Sequence, residues 1–212
     1  MAPISIHPLT CPDCGNELVG LPYDRVFYCP PCRKGVHFLG GEARLLSVRF
    51  ARQGVPGVPD LYLPFWRIRG AVRVENADRM HRVIIDKVKQ LPAIWVAGFL
   101  TLGRDTFGDL GELFTVKAVS PEEDTDIPRK TRLVGTTRSM SDAIGYAHLH
   151  LTDMINRRSD VTGMSLAIDA PTLSLWAMPF SVGRDKLTDL IIEEHIPTAA
   201  ILDLPEIRAT QS

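Results

Sequence analysis

The four cysteines of the chain fall in two C-x-x-C pairs, Cys11-Pro12-Asp13-Cys14 and Cys29-Pro30-Pro31-Cys32, separated by fourteen residues. Two such pairs at this spacing suit two short turns that close on one tetrahedral metal ion, which constrains the first forty residues more than any other feature. Gly15 follows the first pair, where a left-handed residue lets backbone N–H groups turn toward the sulfurs. Gly35, three residues past Cys32, is placed to serve the second pair in the same way. The apolar runs Leu18-Val19, Val26-Phe27-Tyr28 and Val36 with Phe38 read as short strands around these turns.

The stretch from Cys11 to Phe38 resembles the zinc-ribbon modules, whose pattern is C-x-x-C-G, a hairpin, then aromatic-C-P-x-C; Cys11–Gly15 and Tyr28–Cys32 match it. The resemblance implies Zn2+ held by Cys11, Cys14, Cys29 and Cys32 as thiolates in a closed, structural site that leaves no position for a catalytic water. The metal would then supply folding free energy that so small a module lacks. Rubredoxin-like iron uses the same ligand set, but rubredoxins have a longer interval and a glycine after the second pair, where this chain has Arg33. Zinc is therefore the expected cofactor, with iron and then dithiol chemistry as alternatives. His7 is surplus to a site already filled by four thiolates.

With 45% hydrophobic and 23% charged residues, the chain has the composition of a folded protein with a sizeable core. A net charge of −1 argues against a general nucleic-acid binder. The charge is uneven, however: residues 1–73 carry nine Lys/Arg against five Asp/Glu, or +4, leaving −5 for the rest. Nucleic acid is thus the alternative partner class, through the basic ribbon and a strand bearing Arg67, Arg69 and Arg73. No run of eighteen uncharged apolar residues exists, so no membrane span is expected. The absence of a basic-then-apolar leader, with cysteines in metal spacing, places the expected compartment in a reducing cytoplasm.

The expected organisation is α+β: a zinc ribbon over 1–40, a linker over 41–60 marked by Gly40-Gly41 and the Gly/Pro run 54–60, and an α+β body over 61–212. Periodicity leaves Glu42 to Gln53 undecided between helix and strand. Leu61 to Val74 alternates as a strand, with Tyr62, Phe65 and Trp66 as core. A helix to about Gln90, capped by Asn76 or Asp78, presents Met80, Val83, Ile84 and Val88, and Ala93–Leu102 reads as a buried strand. Ser120–Lys130 is an acidic, exposed loop, and Leu133-Val134 begins a short strand. Asp142–Arg157 is a helix capped by Ser139 or Ser141, with His148 and His150 too differently directed to share a metal. Met164–Ile168 and Leu173–Phe180 read as a strand pair turned at Asp169-Ala170-Pro171, Asp185–Glu194 as a last helix, and Ala199–Leu202 as a terminal strand.

The body also carries a degenerate repeat, at about 93–114 and 174–195. Trp95 to Leu110 and Trp176 to Leu190 both show Trp-x-x-x-Phe, then Gly-Arg-Asp-x-(Phe/Leu)-x-Asp-Leu with a one-residue gap. The pattern suggests a duplicated strand–turn–helix unit, in which Gly103–Leu110 and Gly183–Leu190 hold the glycine turn and the helix start, with Asp105 and Asp185 capping the helices. It also raises a pseudo-twofold site where Arg104, Arg184, Asp105 and Asp185 converge. No P-loop, G-x-G-x-x-G, H-E-x-x-H or G-x-S-x-G is present, so no catalytic residue is assigned. The expected function is a non-enzymatic zinc-binding protein that docks on a protein partner. An enzyme with its site between the repeats is a further alternative.

Overall fold

The computed structural model describes residues 9–39, 42–77, 81–100, 109–127, 132–157 and 160–201. Its strands are β1 (Val26–Cys29), β2 (Lys34–Leu39), β3 (Glu42–Phe50), β4 (Leu61–Glu75), β5 (Ile94–Ala97), β6 (Ser165–Val182), β7 (Lys186–Asp189) and β8 (His195–Pro197). The helices are α1 (Arg82–Lys89), α2 (Leu110–Val116) and α3 (Met140–Asn156), with a 3-10 turn at Thr198–Ala200. The fold is α+β. One mixed sheet runs β1-β2-β3-β6-β4-β5, and β7 and β8 continue from the end of β6.

Two long antiparallel strands form the spine. β4 and β6 pair from Leu61 opposite Phe180 to Glu75 opposite Ser165, with a register shift between Arg69 and Ala71. The shift falls where Gly70 meets Ile168 and Asp169: a Cβ there would lie 2.7 Å from Ile168 Cγ2. On the facing strand Ala170 has φ of 46°. The expected turn at Asp169-Ala170-Pro171 is therefore a bulge inside one continuous strand, because both flanking runs find partners on the same neighbour, β4.

Alternation along the spine sorts the core into two faces. Phe65, Trp95, Ala97, Trp176, Met178 and Phe180 point to one face, under Leu110 and Phe114 of α2. Trp66, Ile68, Ile94, Val96 and Leu175 point to the other, under Ile85 and Val88 of α1 and Ala143, Ala147, Leu151 and Ile155 of α3. Tyr62, Phe65 and Trp66 are buried, as the aromatic spacing implies. Helix α3 begins in a capping box, Ser139 accepting from Asp142 N–H while the Asp142 carboxylate accepts from Ser139 N–H. Helix α1 starts later than its sequence suggests: the N-cap is His81, with no side-chain cap bond, and Asn76 sits outside the helix at φ of 57°. Asp78 and Met80 lie outside the described residues. Val83 is exposed and Ile85 takes its place in the core.

Residues 42–50, undecided in the sequence, form a strand because both edges are used: β3 is antiparallel to β2 and parallel to β6. The first repeat copy supplies β5 and α2, with residues 101–108 between them outside the described set. The second copy differs from the expected helix over Asp185–Glu194. Lys186–Asp189 is β7, paired with β6 and β8, so this copy is strand–turn–strand. The end at Ala199–Leu202, expected as strand, begins with the 3-10 turn Thr198–Ala200. Among the described residues no helix is long and apolar enough to cross a membrane.

Candidate metal centre

The two C-x-x-C segments fold into matched turns. Gly15 N–H donates to Cys11 O at 2.8 Å, and Arg33 N–H donates to Cys29 O at 2.8 Å. The residue after each pair is left-handed, Gly15 at φ of 73° and Arg33 at 55°. Arg33, and not Gly35, completes the second turn. A left-handed residue with a Cβ costs about 1–2 kcal/mol, which the closed turn has to offset. Gly35 instead lies in β2, where a Cβ would stand 2.9 Å from Val26 Cγ1. The Lys34 ammonium meets the Asp13 carboxylate at 2.7 Å and links the two turns, pulling the Asp13 carboxyl below its ordinary range. Both groups are well exposed, so the pair adds little stability.

All four sulfurs lie within 4.8 Å of one another. Cys11 and Cys32 are 3.9 Å apart at Sγ, and Cys14 and Cys29 are 3.5 Å apart. A regular tetrahedron of sulfurs about zinc at its usual bond length has an edge of about 3.8 Å. The separations are far beyond a disulfide bond, about 2.05 Å, and all four cysteines are free. The donor set and its dimensions fit one metal ion. Cys11 and Cys29 are buried, Cys32 is partly buried and Cys14 faces outward.

The surroundings already favour thiolate at one corner. Asn16 donates its side-chain amide to Cys14 Sγ at 3.2 Å, and with its backbone N–H lowers that thiol to about 6. Burial pushes Cys29 up to about 11. Cys32 is raised by its hydrogen bond with Cys14 and then by burial. Four sulfurs this close cannot all ionise without a cation among them, so the cluster is thiolate at all four corners only with a metal ion bound. Asn16 was not singled out in the sequence; its place directly after Cys14-Gly15 was the available signal. Four protein ligands close a tetrahedral site, which suits a structural role.

The cluster is packed, not merely tethered. Leu18, Phe27 and Val36 bury against Cys11 and Cys29, with Phe38 edge-on to Phe27 at 6.0 Å. The Leu18-Val19 run, expected as a short strand, forms only an isolated bridge, Val19 and Tyr28 exchanging backbone bonds.

The remaining candidates fare differently. Arg184 and Asp185 lie exposed at the β6–β7 turn, while Arg104 and Asp105 are outside the described residues. β5 and β6 are both antiparallel to β4 and hence parallel to each other, so the strands of the two copies relate by a shift across β4 and not by a twofold. His7 also lies outside the described residues. His150 is fully buried and its Nε2 bonds Asp109 Oδ2 at 3.1 Å, whereas His148 makes no such pair. The acidic loop engages arginines of and after β3: Glu122 meets Arg52 at 2.9 Å and Glu123 meets Arg49 at 3.8 Å. Of the supposed basic stripe, Arg67 is buried and Arg73 is held by Asp169 and Glu75.

No family model, curated protein or solved structure matches the chain.

Proposed function

We propose that the protein is a non-enzymatic zinc-binding component that docks on a protein partner through its N-terminal ribbon. The observation that carries the reading is the closed set of four thiolates, dimensioned for one ion and wrapped by a small apolar cluster. Such a site stiffens a surface without offering a coordination position for chemistry. Leu9, Val19 and Tyr23 of the ribbon, and Leu45 of the adjoining β3, are exposed large hydrophobic residues. Exposed apolar groups on a metal-stiffened scaffold are the ordinary raw material of a protein interface.

The test is metal analysis with partner capture from native cells, using the intact chain and a Val19→Asp/Leu45→Asp variant. The reading expects about one zinc per chain in both proteins. It also expects a specific partner bound by the native chain and lost by the variant. Red colour with bound iron would replace zinc by the rubredoxin-like alternative. Turnover by the zinc-loaded protein, abolished by a substitution in the body, would overturn the non-enzymatic reading.

A further inference from the structure

Arg67 is buried at 6% exposure on the same face of the sheet as Trp95 and Trp176. Its guanidinium carbon lies 5.3 Å from the Trp95 ring and 5.4 Å from the Trp176 ring, and the two indoles meet edge-on at 6.0 Å. Nη2 donates to Ser120 Oγ at 3.2 Å, and Nε is buried without a hydrogen-bond partner. No carboxylate pairs with it among the described residues. Buried charges are normally paired or bound to an ion, and stacking on indole rings offsets only part of the desolvation cost.

The nearest charges repel it. Burial holds the Arg67 guanidinium below its ordinary range, and Arg69 and Arg49 push it further in the same direction. Register explains the crowding. Arg49 stands beside Trp176 on β3, Trp176 stands beside Phe65 on β4, and Arg67 and Arg69 follow at alternate positions on that face. Arg49 also lies over Trp176, 5.8 Å from the ring centre. Thr172 stands opposite Arg69 and Ser174 opposite Arg67, their hydroxyls bonded to Arg69 O and to Trp176 Nε1. Glu123, 3.8 Å from Arg49, is the one carboxylate paired with these three arginines among the described residues. Three guanidiniums against one carboxylate leave a local surplus of two positive charges.

We propose that Arg67, Arg69 and Arg49, with Ser120, form a binding site for a dianionic phosphate group, either free phosphate or the phosphate of a small monoester. A phosphate carries nearly two negative charges at neutral pH and several strong acceptor oxygens, which matches both the surplus and the unsatisfied donors. Arginine forks suit such an oxyanion better than a lysine charge does. The site shares no residue with the metal centre, so it stands or falls separately from the docking reading.

The metal-loaded full chain is titrated with inorganic phosphate and, in a second arm, with glycerol phosphate, at constant ionic strength maintained with chloride. Binding is followed by calorimetry and by indole fluorescence, since Trp95 and Trp176 flank Arg67. Saturable one-site binding by either probe supports the proposal, and the tighter probe identifies the source. Exposed Arg69→Gln and Arg49→Gln are each expected to weaken binding about tenfold, the scale of one charge-assisted hydrogen bond. Arg67→Lys keeps the charge and loses the fork, and is expected to weaken it at least as much. Should Arg67→Lys fail to fold, the Arg69 and Arg49 variants decide alone. Absence of saturable binding by both probes overturns the proposal. So does equal affinity in the Arg69 and Arg49 variants, or binding of an oligonucleotide without binding of either small phosphate.

Discussion

Asp109 and Asp189, equivalent in the two copies of the repeat, each accept the backbone N–H groups of the residues two and three further on. Asp109 takes them from Gly111 at 2.8 Å and Glu112 at 3.4 Å, and Asp189 from Ile191 at 3.1 Å and Ile192 at 2.9 Å. Their electrostatics run in opposite directions. Burial raises both, but at Asp109 the hydrogen bond and charge of His150, with Arg138 and the Gly111 N–H, outweigh it and hold the carboxyl below its ordinary value. Among the described residues Asp189 forms no ion pair, and burial, helped by the Glu194 charge, carries it up to about 6 against the two N–H bonds and the Lys117 charge.

Asp189→Asn follows from that difference. A carboxyl whose folded value lies above its unfolded value of 3.8 favours the folded state fully below about pH 4, and that contribution is lost as pH rises through about 6. The shift corresponds to roughly 2–3 kcal/mol across the window. Asparagine removes the charge and keeps one acceptor oxygen, giving up one of the two N–H bonds at a cost of about 1 kcal/mol. The variant is expected to match or exceed the native protein in stability at pH 7 and to lose the fall in stability between about pH 4 and 6, read from urea midpoints at several pH values. An unchanged pH profile would show that Asp189 is not the group responsible.

At Asp109 removing the carboxylate has the opposite sign. Its Oδ2 holds the fully buried His150 Nε2 on α3, while Oδ1 caps α2, so the side chain joins helices from opposite faces of the sheet. Asp109→Ala leaves two amides and a buried imidazole without their acceptor. It is expected to cost about 2–4 kcal/mol, the sum of a lost cap and a broken buried hydrogen bond. Denaturant unfolding checks the value, and a loss below about 0.5 kcal/mol would remove Asp109 from this bridging role.

Removing the metal should act locally first. Cys29 is fully buried and Cys29→Ser removes one of four thiolates, so the variant or a chelated native chain is expected to lose the ion and lose amide protection over 9–39. The amides between β4 and β6 are held by their own long ladder and by both faces of the core, and are expected to stay protected. Acidification should release the metal in the same way, because protons compete for the thiolates. Hydrogen exchange followed by mass spectrometry separates this outcome from global unfolding, which would appear as simultaneous loss at both sites.

What could be read from the sequence was local chemistry. The C-x-x-C turns at Cys11–Cys14 and Cys29–Cys32, the strand beginning at Leu61 and the Ser139 cap each depend on neighbours within a few residues. What escaped it depended on distant pairing. Ala170-Pro171 has the signature of a turn, yet β4 offers partners to both sides of it. Lys186–Asp189 falls in the run expected as a last helix, yet an open edge of β6 and the chain at His195–Pro197 make it a strand. Arg67 looked like an exposed basic position because alternation cannot show that two tryptophans from β5 and β6 close over it. Arg33 took the left-handed position expected of glycine, since the geometry of the sulfur turn prevails over residue preference there.

The approach of α2 to β5 leaves no room for a side chain at one position. Helix α2 lies against β5 at Gly111, where a Cβ would stand 2.6 Å from Trp95 O, 2.9 Å from Ala97 N and 2.9 Å from Val96 Cα. All three are backbone atoms and cannot swing aside. Thr115, one turn further on, donates to Gly111 O at 2.8 Å and accepts from Trp95 N–H at 2.8 Å, so the helix is pinned to the strand one turn beyond the glycine. Gly111→Ala should gain about 1 kcal/mol from helix propensity in an exposed helix. Here overpacking against fixed backbone outweighs that gain, with an expected net loss of about 1–3 kcal/mol. The shift should be accompanied by altered Trp95 fluorescence, because Trp95 is the strand residue displaced. Stability at or above that of the native chain would mean that α2 and β5 separate more easily than this contact implies.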